Sequence, residues 1–245
     1  MTGTLVGNPI PLINNLNGFP HPIHPGVIKV VAAAIRHAWA VIRSDPSQHL
    51  VARSPGAPDE DRYTEAICQI LDQMLSADSS PVYGFTSETF QGVSRFESSC
   101  NYSGTSLNKQ PDILIRLAEG PLVDARRFVG VYVEAKVVSM SHSLGKYTKE
   151  GLSRFVGGEY SWAMQDGLMI AYQKAKYRPI SSLADALQKD LTMASLADAK
   201  GIYLDELTLF PIVSGCSTHN RKWNYIGGGA PGDIRVWHLW DLEIP

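Results

Sequence analysis

The chain has 245 residues, of which 44% are hydrophobic and 19% charged, a balance that allows a sizeable buried core and excludes a disordered protein. Its net charge of −2 excludes a protein that binds nucleic acid with its whole surface, although residues 109–178 hold eleven Lys and Arg against seven Asp and Glu, a local excess of +4. Three widely separated cysteines exclude a disulfide framework or a Cys-x-x-Cys zinc site and are typical of the cytoplasm, and we expect neither a signal peptide nor a membrane span.

The first part of the chain predicts an arm followed by two helices. Residues 1–25 are rich in Pro, Asn and Gly and favour an extended arm. Apolar residues at helical spacing predict one helix over about 27–43 and another over about 59–75. The stretch between them, 44–58, contains three Pro and predicts a loop.

The remainder of the chain predicts strands that alternate with helices. The predicted elements are a strand over 82–90, a polar loop over 98–110, strands over 111–117 and 127–138, a helix over 147–164, a strand over 167–174, a helix over 180–199 and two last strands within 206–217 and 233–244. This order predicts an α/β fold, with a central mixed β-sheet of five or six strands flanked by helices. We assign 1–58 to an N-terminal arm and helix and 59–245 to one compact domain.

Two of these strands carry charged residues where a buried strand would carry hydrocarbon. Side chains alternate between the two faces of a strand. Within 128–138 the odd-numbered positions are apolar, whereas Glu134 and Lys136 share the opposite face. Within 111–117, Asp112 lies on the face opposite the isoleucines. If the two strands pair as a hairpin, Asp112 comes close to Glu134 and Lys136.

Two carboxylates beside an ammonium predict a metal-dependent hydrolase. Carboxylate oxygens are the hard ligands that Mg²⁺ or Mn²⁺ prefers, and such an ion can balance the charge of a phosphodiester and generate hydroxide from bound water. An ammonium beside the ion can orient that water and stabilise developing negative charge. The alternative is an ion pair that only satisfies its own buried charges at a strand end.

The residues Pro111-Asp112 and Glu134-Ala135-Lys136 resemble the signature of the PD-(D/E)xK superfamily, the restriction-endonuclease-like nucleases. The resemblance covers about 59–175 and implies a restriction-endonuclease-like core that hydrolyses phosphodiester bonds, with DNA as the favoured substrate. It also implies that Asp112 and Glu134 bind Mg²⁺ (or Mn²⁺) directly and that Lys136 orients the water. A prokaryotic restriction or defence system is the context it suggests.

The resemblance further implies a glutamate from the preceding helix, for which there are two candidates. Helical projection places Glu60 on the same face as the apolar residues, whereas Glu65 projects almost opposite. We favour Glu60 as a catalytic residue and metal ligand and keep Glu65 open. An ordinary helix-start carboxylate, stabilised by the helix dipole, is the alternative for Glu60.

Five residues with cationic or titratable side chains are candidates for contact with nucleic-acid phosphates. Lys146, Lys149 and Arg154 follow the Lys136 strand, and His219 and Arg221 end a later predicted strand. Phosphate contacts are typically made by such side chains. The alternative for Lys146, Lys149 and Arg154 is an ordinary solvated surface, and for His219 and Arg221 it is a polar loop.

The expected partners follow from the charge and from the absence of a sequence-reading motif such as a zinc finger. DNA is the expected substrate, and the near-neutral charge favours a homodimer or a recognition or ATPase partner protein. We expect a cytoplasmic protein that does not bind a membrane. Two other functions stay open: a catalytically silent nuclease-fold subunit that binds or assembles within a complex, and an RNA-cleaving nuclease.

Overall fold

A computed structural model gives the conformation of residues 20–51, 59–106, 108–118, 128–140, 144–174, 178–189, 196–197, 213–225 and 228–245. The predicted arm is described from residue 20 onward only. Its end lies against the sheet, because the Ile23 backbone N–H donates to the buried Asp166 carboxylate at 2.9 Å. The predicted strand within 206–217 is likewise described from residue 213 only.

Helices and strands alternate along the described chain much as the sequence predicts. The helices are α1 Pro25–Ser44, α2 Pro46–His49, α3 Asp59–Ser76, a π-helix Lys146–Leu152, α4 Ser153–Val156 and α5 Ser181–Lys189. The strands are β1 Phe90–Ser94, β2 Ile113–Leu117, β3 Gly130–Val138, β4 Asp166–Gln173, β5 Leu196–Ala197, β6 Gly215–Asn220 and β7 Asp233–Glu243. The polar stretch 98–110 contains no strand among its described residues, as predicted.

All seven described strands belong to one open, mixed sheet with the order β1-β2-β3-β4-β7-β6-β5. The centre is parallel, because β4 pairs with β3 on one side and with β7 on the other. The remaining pairs are antiparallel. β5 is only two residues long, so the sheet consists mainly of the six longer strands. The predicted α/β architecture with a mixed sheet is therefore confirmed.

Helices cover both faces of the sheet and bury its apolar side chains. α1 and α3 lie on one face, where Trp39 of α1 stacks on Tyr172 of β4 with ring centroids 5.1 Å apart. The π-helix lies on the other face, where Tyr147 makes an edge contact with Trp240 of β7. α3 begins with three acidic residues, which stabilise the positive end of the helix dipole.

α1 is the one helix in the described part of the chain that is long and apolar enough to cross a membrane, judged by length and composition alone. Eight of its side chains are buried, and Arg36 on the same helix forms an ion pair with Asp241 of β7 at 2.6 Å. The apolar stripe of this helix therefore contributes to the protein core.

Four predicted elements differ from the structure. The loop predicted over 44–58 contains the short helix α2, Pro46–His49. The strand over 82–90 is wrong, because Gly84 adopts φ +82° and the Phe85 N–H donates to the Val82 carbonyl, which makes a turn. The helix predicted to reach 164 ends at Val156, just before Gly158 at φ +67°. The helix predicted to reach 199 is described as far as Lys189, and two residues of its predicted range, 196–197, pair with β6 instead.

Candidate active site

The predicted hairpin between β2 and β3 forms and brings Asp112 to β3. The two strands are antiparallel, with Ile113 opposite Val133, so Asp112 meets the next part of β3. One Asp112 carboxylate oxygen accepts the Ala135 N–H at 2.7 Å. This bond continues the strand pairing through a side chain and fixes the carboxylate at the start of β2.

Lys136 is the centre of a cluster of three carboxylates. Its Nζ atom lies 2.8 Å from Glu134 Oε1, 3.0 Å from Glu60 Oε1 and 3.7 Å from Asp112 Oδ2. Glu134 is completely buried and Lys136 is only 8% exposed. The structure therefore brings all four predicted catalytic residues into one site.

The helix glutamate in this site is Glu60, and Glu65 points elsewhere. Glu60 lies in the first turn of α3, and its second carboxylate oxygen accepts the Val137 N–H at 3.0 Å. Glu65 instead forms an ion pair with Arg95 at 2.9 Å. The helical projection distinguished the two residues correctly because α3 packs its apolar face on the sheet.

Two residues that follow β3 complete the hydrogen bonding of Glu134. Arg154 of α4 donates to Glu134 Oε1 at 2.9 Å, and the buried Tyr160 hydroxyl donates to Oε2. The sequence predicts Arg154 as a phosphate contact and does not predict Tyr160. The predicted helix over 147–164 includes Tyr160, but the observed helix ends at Val156, so helical projection misplaces this side chain.

A glycine allows the π-helix to approach the site closely. A Cβ atom at Gly151 would lie 2.8 Å from the Met169 side chain and 3.5 Å from the Cγ atoms of Glu134 and Lys136. π-Helical turns are rare and are found frequently at functional sites. The side of Glu134 and Lys136 that faces the π-helix is thus closed by backbone.

Burial and neighbouring charges both shift the pKa values of the cluster. Burial raises the pKa of both Glu60 and Glu134 above the ordinary value of 4.5, and Asp112 adds to this effect. Burial alone would lower the pKa of Lys136, but the three carboxylates outweigh it and the pKa is raised. With all groups ionised, three carboxylates, Lys136 and Arg154 sum to −3 + 2 = −1.

The donor set of the cluster fits a hard divalent cation, but a lysine stands between the donors. Among the described residues, no group of three or more His, Cys, Asp or Glu side chains is arranged to hold a metal ion, because the Lys136 ammonium lies between the carboxylates. Carboxylate oxygens with a net charge of −1 are nevertheless the chemistry that Mg²⁺ requires. Metal binding at these residues therefore requires Lys136 to withdraw.

A cleft of about 310 Å³ opens beside the cluster. The part of its lining next to the cluster, which we call the inner end, consists of Asp112, beside Lys136, and of Arg154 and Tyr160, which donate to Glu134, so the cluster meets the surface there. The outer lining includes Phe96, Asn108, Lys109, Gln110 and Glu159. Lys109 and Glu159 form an ion pair at 3.0 Å, and the lining is mostly polar.

The five predicted phosphate contacts divide into surface and interior residues. Lys146 and Lys149 are exposed on the π-helix, and Arg154 is partly exposed at the cleft. His219 and Arg221 are buried, which corrects the expectation that they meet phosphate.

The buried pair has structural partners instead. Arg221 donates to three backbone carbonyls, those of Met164, Pro231 and Gly232. His219 Nε2 lies 2.6 Å from the Ser217 hydroxyl, which lies 2.8 Å from His238 Nε2. Burial lowers the pKa of His219 to about 4, so its ring is neutral near neutral pH.

Compared with family models, with curated proteins and with solved structures, the chain shows no match in any of the three. The superfamily assignment therefore stays a prediction that rests on the residues and on the geometry of their site.

Proposed function

We propose that the protein is a Mg²⁺- or Mn²⁺-dependent nuclease of the PD-(D/E)xK type, with a restriction-endonuclease-like core and DNA as its favoured substrate. One observation carries the proposal: Glu60, Asp112 and Glu134 lie within 2.8–3.7 Å of the Lys136 ammonium, beside a cleft that opens to the surface. Three carboxylates and a lysine, supplied by α3, by the start of β2 and by β3, meet where a substrate can enter.

The roles we propose follow from the position of each group. Asp112 and Glu134 would hold the ion, and Glu60 would complete the site. When bound, the ion would balance phosphodiester charge and generate hydroxide from water. Lys136 would orient the attacking water with its ammonium, which the raised pKa keeps charged. Arg154, at the inner end of the cleft, would contact a phosphate oxygen.

Among the residues that the structure describes, few of the predicted phosphate contacts are exposed, which bears on how DNA would be held. Lys146 and Lys149 are the exposed candidates on the π-helix, and the whole chain has a net charge of −2. A nuclease that binds DNA alone depends on many Lys and Arg contacts. We therefore propose that it acts as a homodimer or beside a recognition or ATPase partner in the cytoplasm, in a restriction or defence system.

A second function, a catalytically silent subunit that binds or assembles within a complex, is favoured by one specific observation. Both oxygens of Glu134 are occupied, one by Arg154 and Lys136 and the other by Tyr160. A buried carboxylate with all its partners inside the protein can serve stability alone.

A cleavage assay separates these functions and tests RNA as the substrate. Purified protein is incubated with plasmid DNA, linear DNA and RNA, with and without Mg²⁺ or Mn²⁺. The proposal predicts metal-dependent cutting that Glu134→Ala abolishes and that Lys174→Met, at a partly exposed lysine outside the cluster, retains. Binding without cutting, equal in wild type and Glu134→Ala, would instead support the silent subunit.

A further inference from the structure

An aromatic residue with an unusual backbone conformation lines the cleft on the part away from the cluster. Phe96, two residues after β1, adopts φ +54° and remains 45% exposed. A bulky residue in the left-handed region costs free energy, and an exposed phenyl ring recovers little of it by burial. Residues held in such conformations cluster at ligand-binding sites.

The two neighbours of Phe96 in the chain are both anchored, which holds it in this conformation. Arg95 donates to Asp61 at 2.7 Å and to Glu65 at 2.9 Å, both on α3. On the other side, Glu97 accepts from Ser94 at 2.6 Å and forms an ion pair with Arg116 of β2. These ties to two separate elements fix the backbone on both sides of the ring.

The Arg95 guanidinium also supports the ring itself. Its central carbon lies 4.0 Å from the centroid of the Phe96 ring. Arg95 is held by two carboxylates, so the cation and the ring form a fixed stack. A ring that is backed by a cation and is still 45% exposed can accept a second planar group.

Phe96 shares its cleft with the residues that would meet the scissile phosphate. The cleft is lined by Asp112, Arg154 and Tyr160 at the inner end and by Lys109 and Phe96 farther out. A nucleic-acid strand with one phosphate at Arg154 has a base one sugar away from it. Bases stack on aromatic side chains irrespective of sequence, because every base has a π-face.

We propose that Phe96 is a stacking platform for a nucleobase next to the scissile phosphate. This inference rests on the proposed nuclease function, because it is that function which places a phosphate in the cleft. The ligand is an unpaired base of DNA or RNA, and stacking on the ring imposes no requirement for a particular base.

The test measures binding of fluorescein-labelled single-stranded DNA by fluorescence anisotropy in EDTA and low salt. The variants are Phe96→Gly, which suits the positive φ and removes the ring; Phe96→Leu, which stays apolar without a π-face; and Phe96→Trp. The control is Tyr83→Ala, since Tyr83 is another aromatic residue, 99% exposed and not among the cleft residues. Stacking predicts affinity about tenfold lower for Gly and Leu, and wild-type affinity for Trp and for the control.

A strand of equal length that carries abasic sugars in place of bases makes the test specific. Loss of stacking predicts that Phe96→Gly and wild type bind this strand equally, because the phosphate charge is unchanged. Wild-type affinity of Phe96→Gly and Phe96→Leu for the base-bearing strand would overturn the proposal. So would equal losses on both strands, or no binding by the wild-type protein.

Cleavage by the wild-type protein, assayed with Mg²⁺ in parallel, separates this inference from the nuclease function. If the wild type cuts DNA or RNA and Phe96→Gly binds and cuts equally well, the stacking role alone is wrong. If binding depends on Phe96 and on bases but neither polymer is cut with any metal, the stacking role stands and the nuclease proposal is wrong.

Discussion

The Lys136 ammonium lies 2.8 Å from the Glu134 carboxylate, although Glu134 is completely buried and Lys136 nearly so. Glu60 and Asp112 approach the same ammonium from α3 and from the start of β2. Without a bound ion, the lysine is therefore the positive charge that holds three carboxylates together. The effect of removing this ammonium on stability can be measured, and so can the binding of a divalent ion in its place.

Replacing Lys136 by methionine is expected to destabilise the protein by about 3–5 kcal/mol near neutral pH, because three carboxylates lose the ammonium between them and only Glu134 keeps other side-chain donors, Arg154 and Tyr160. The pKa values of Glu60 and Glu134 are already raised. A raised carboxyl pKa means that, as the pH falls, the folded state binds protons at a higher pH than the unfolded state does. The loss of unfolding free energy in Lys136→Met therefore becomes smaller as the pH falls toward and below 4.5. Urea unfolding at several pH values measures this, with Lys149→Met as the exposed control.

The same variant tests the fit of the carboxylates to a metal without any assay of activity. With the ammonium gone, Mg²⁺ or Mn²⁺ is expected to raise the melting temperature of Lys136→Met more than that of the wild type. Adding Asp112→Asn should remove most of this stabilisation. A melting temperature of Lys136→Met that does not respond to either ion would count against a metal site at these carboxylates.

Gly151 is expected to be needed for the position of the π-helix. A Cβ at this residue meets Met169 at 2.8 Å, so Gly151→Ala should cost about 1–3 kcal/mol and disturb Glu134 and Lys136. Gly92→Ala is the control, because a Cβ there meets no described atom within 4 Å. Thermal unfolding and the cleavage assay together check this, and equal behaviour of the two variants would show that the close approach is unimportant.

The buried histidines of β6 and β7 are expected to make the protein sensitive to acid. Burial lowers the pKa of His219 to about 4 and that of His238 to about 3, from an ordinary 6.5. The unfolded state therefore binds more protons below 6.5, and stability falls as the pH drops from 6.5 toward these values. His219→Leu should flatten the slope of unfolding free energy against pH, measured by urea unfolding at several pH values.

Phe96→Gly is expected to be more stable than Phe96→Ala by about 1 kcal/mol, because alanine in the left-handed region pays a steric cost that glycine does not. Both variants lose the ring and its contact with Arg95, so the comparison isolates the backbone. Chemical unfolding of the two variants measures the difference. Equal stability would mean that the backbone around residue 96 relaxes freely.

The sequence predicts the four site residues because two local periodicities, strand alternation and helical spacing, determine which way their side chains point. Alternation along β3 separates Glu134 and Lys136 from the valine face, and helical projection separates Glu60 from Glu65. The places of Tyr160, His219 and Arg221 depend on contacts that no local pattern contains. β7 is the last described strand in the chain, yet it lies between β4 and β6 in the sheet. His219 and Arg221, at the end of β6, are therefore buried although their polar sequence predicts exposure.

The central claim is that the carboxylates around Lys136 bind a catalytic divalent ion, and anomalous diffraction from a crystal soaked in Mn²⁺ tests it most directly. We expect one anomalous peak that lies about 2.0–2.2 Å from a carboxylate oxygen of Asp112 and from one of Glu134. The Lys136 ammonium should then have moved out from between these carboxylates. An absence of any peak there, with Lys136 Nζ still 2.8 Å from Glu134, would contradict it.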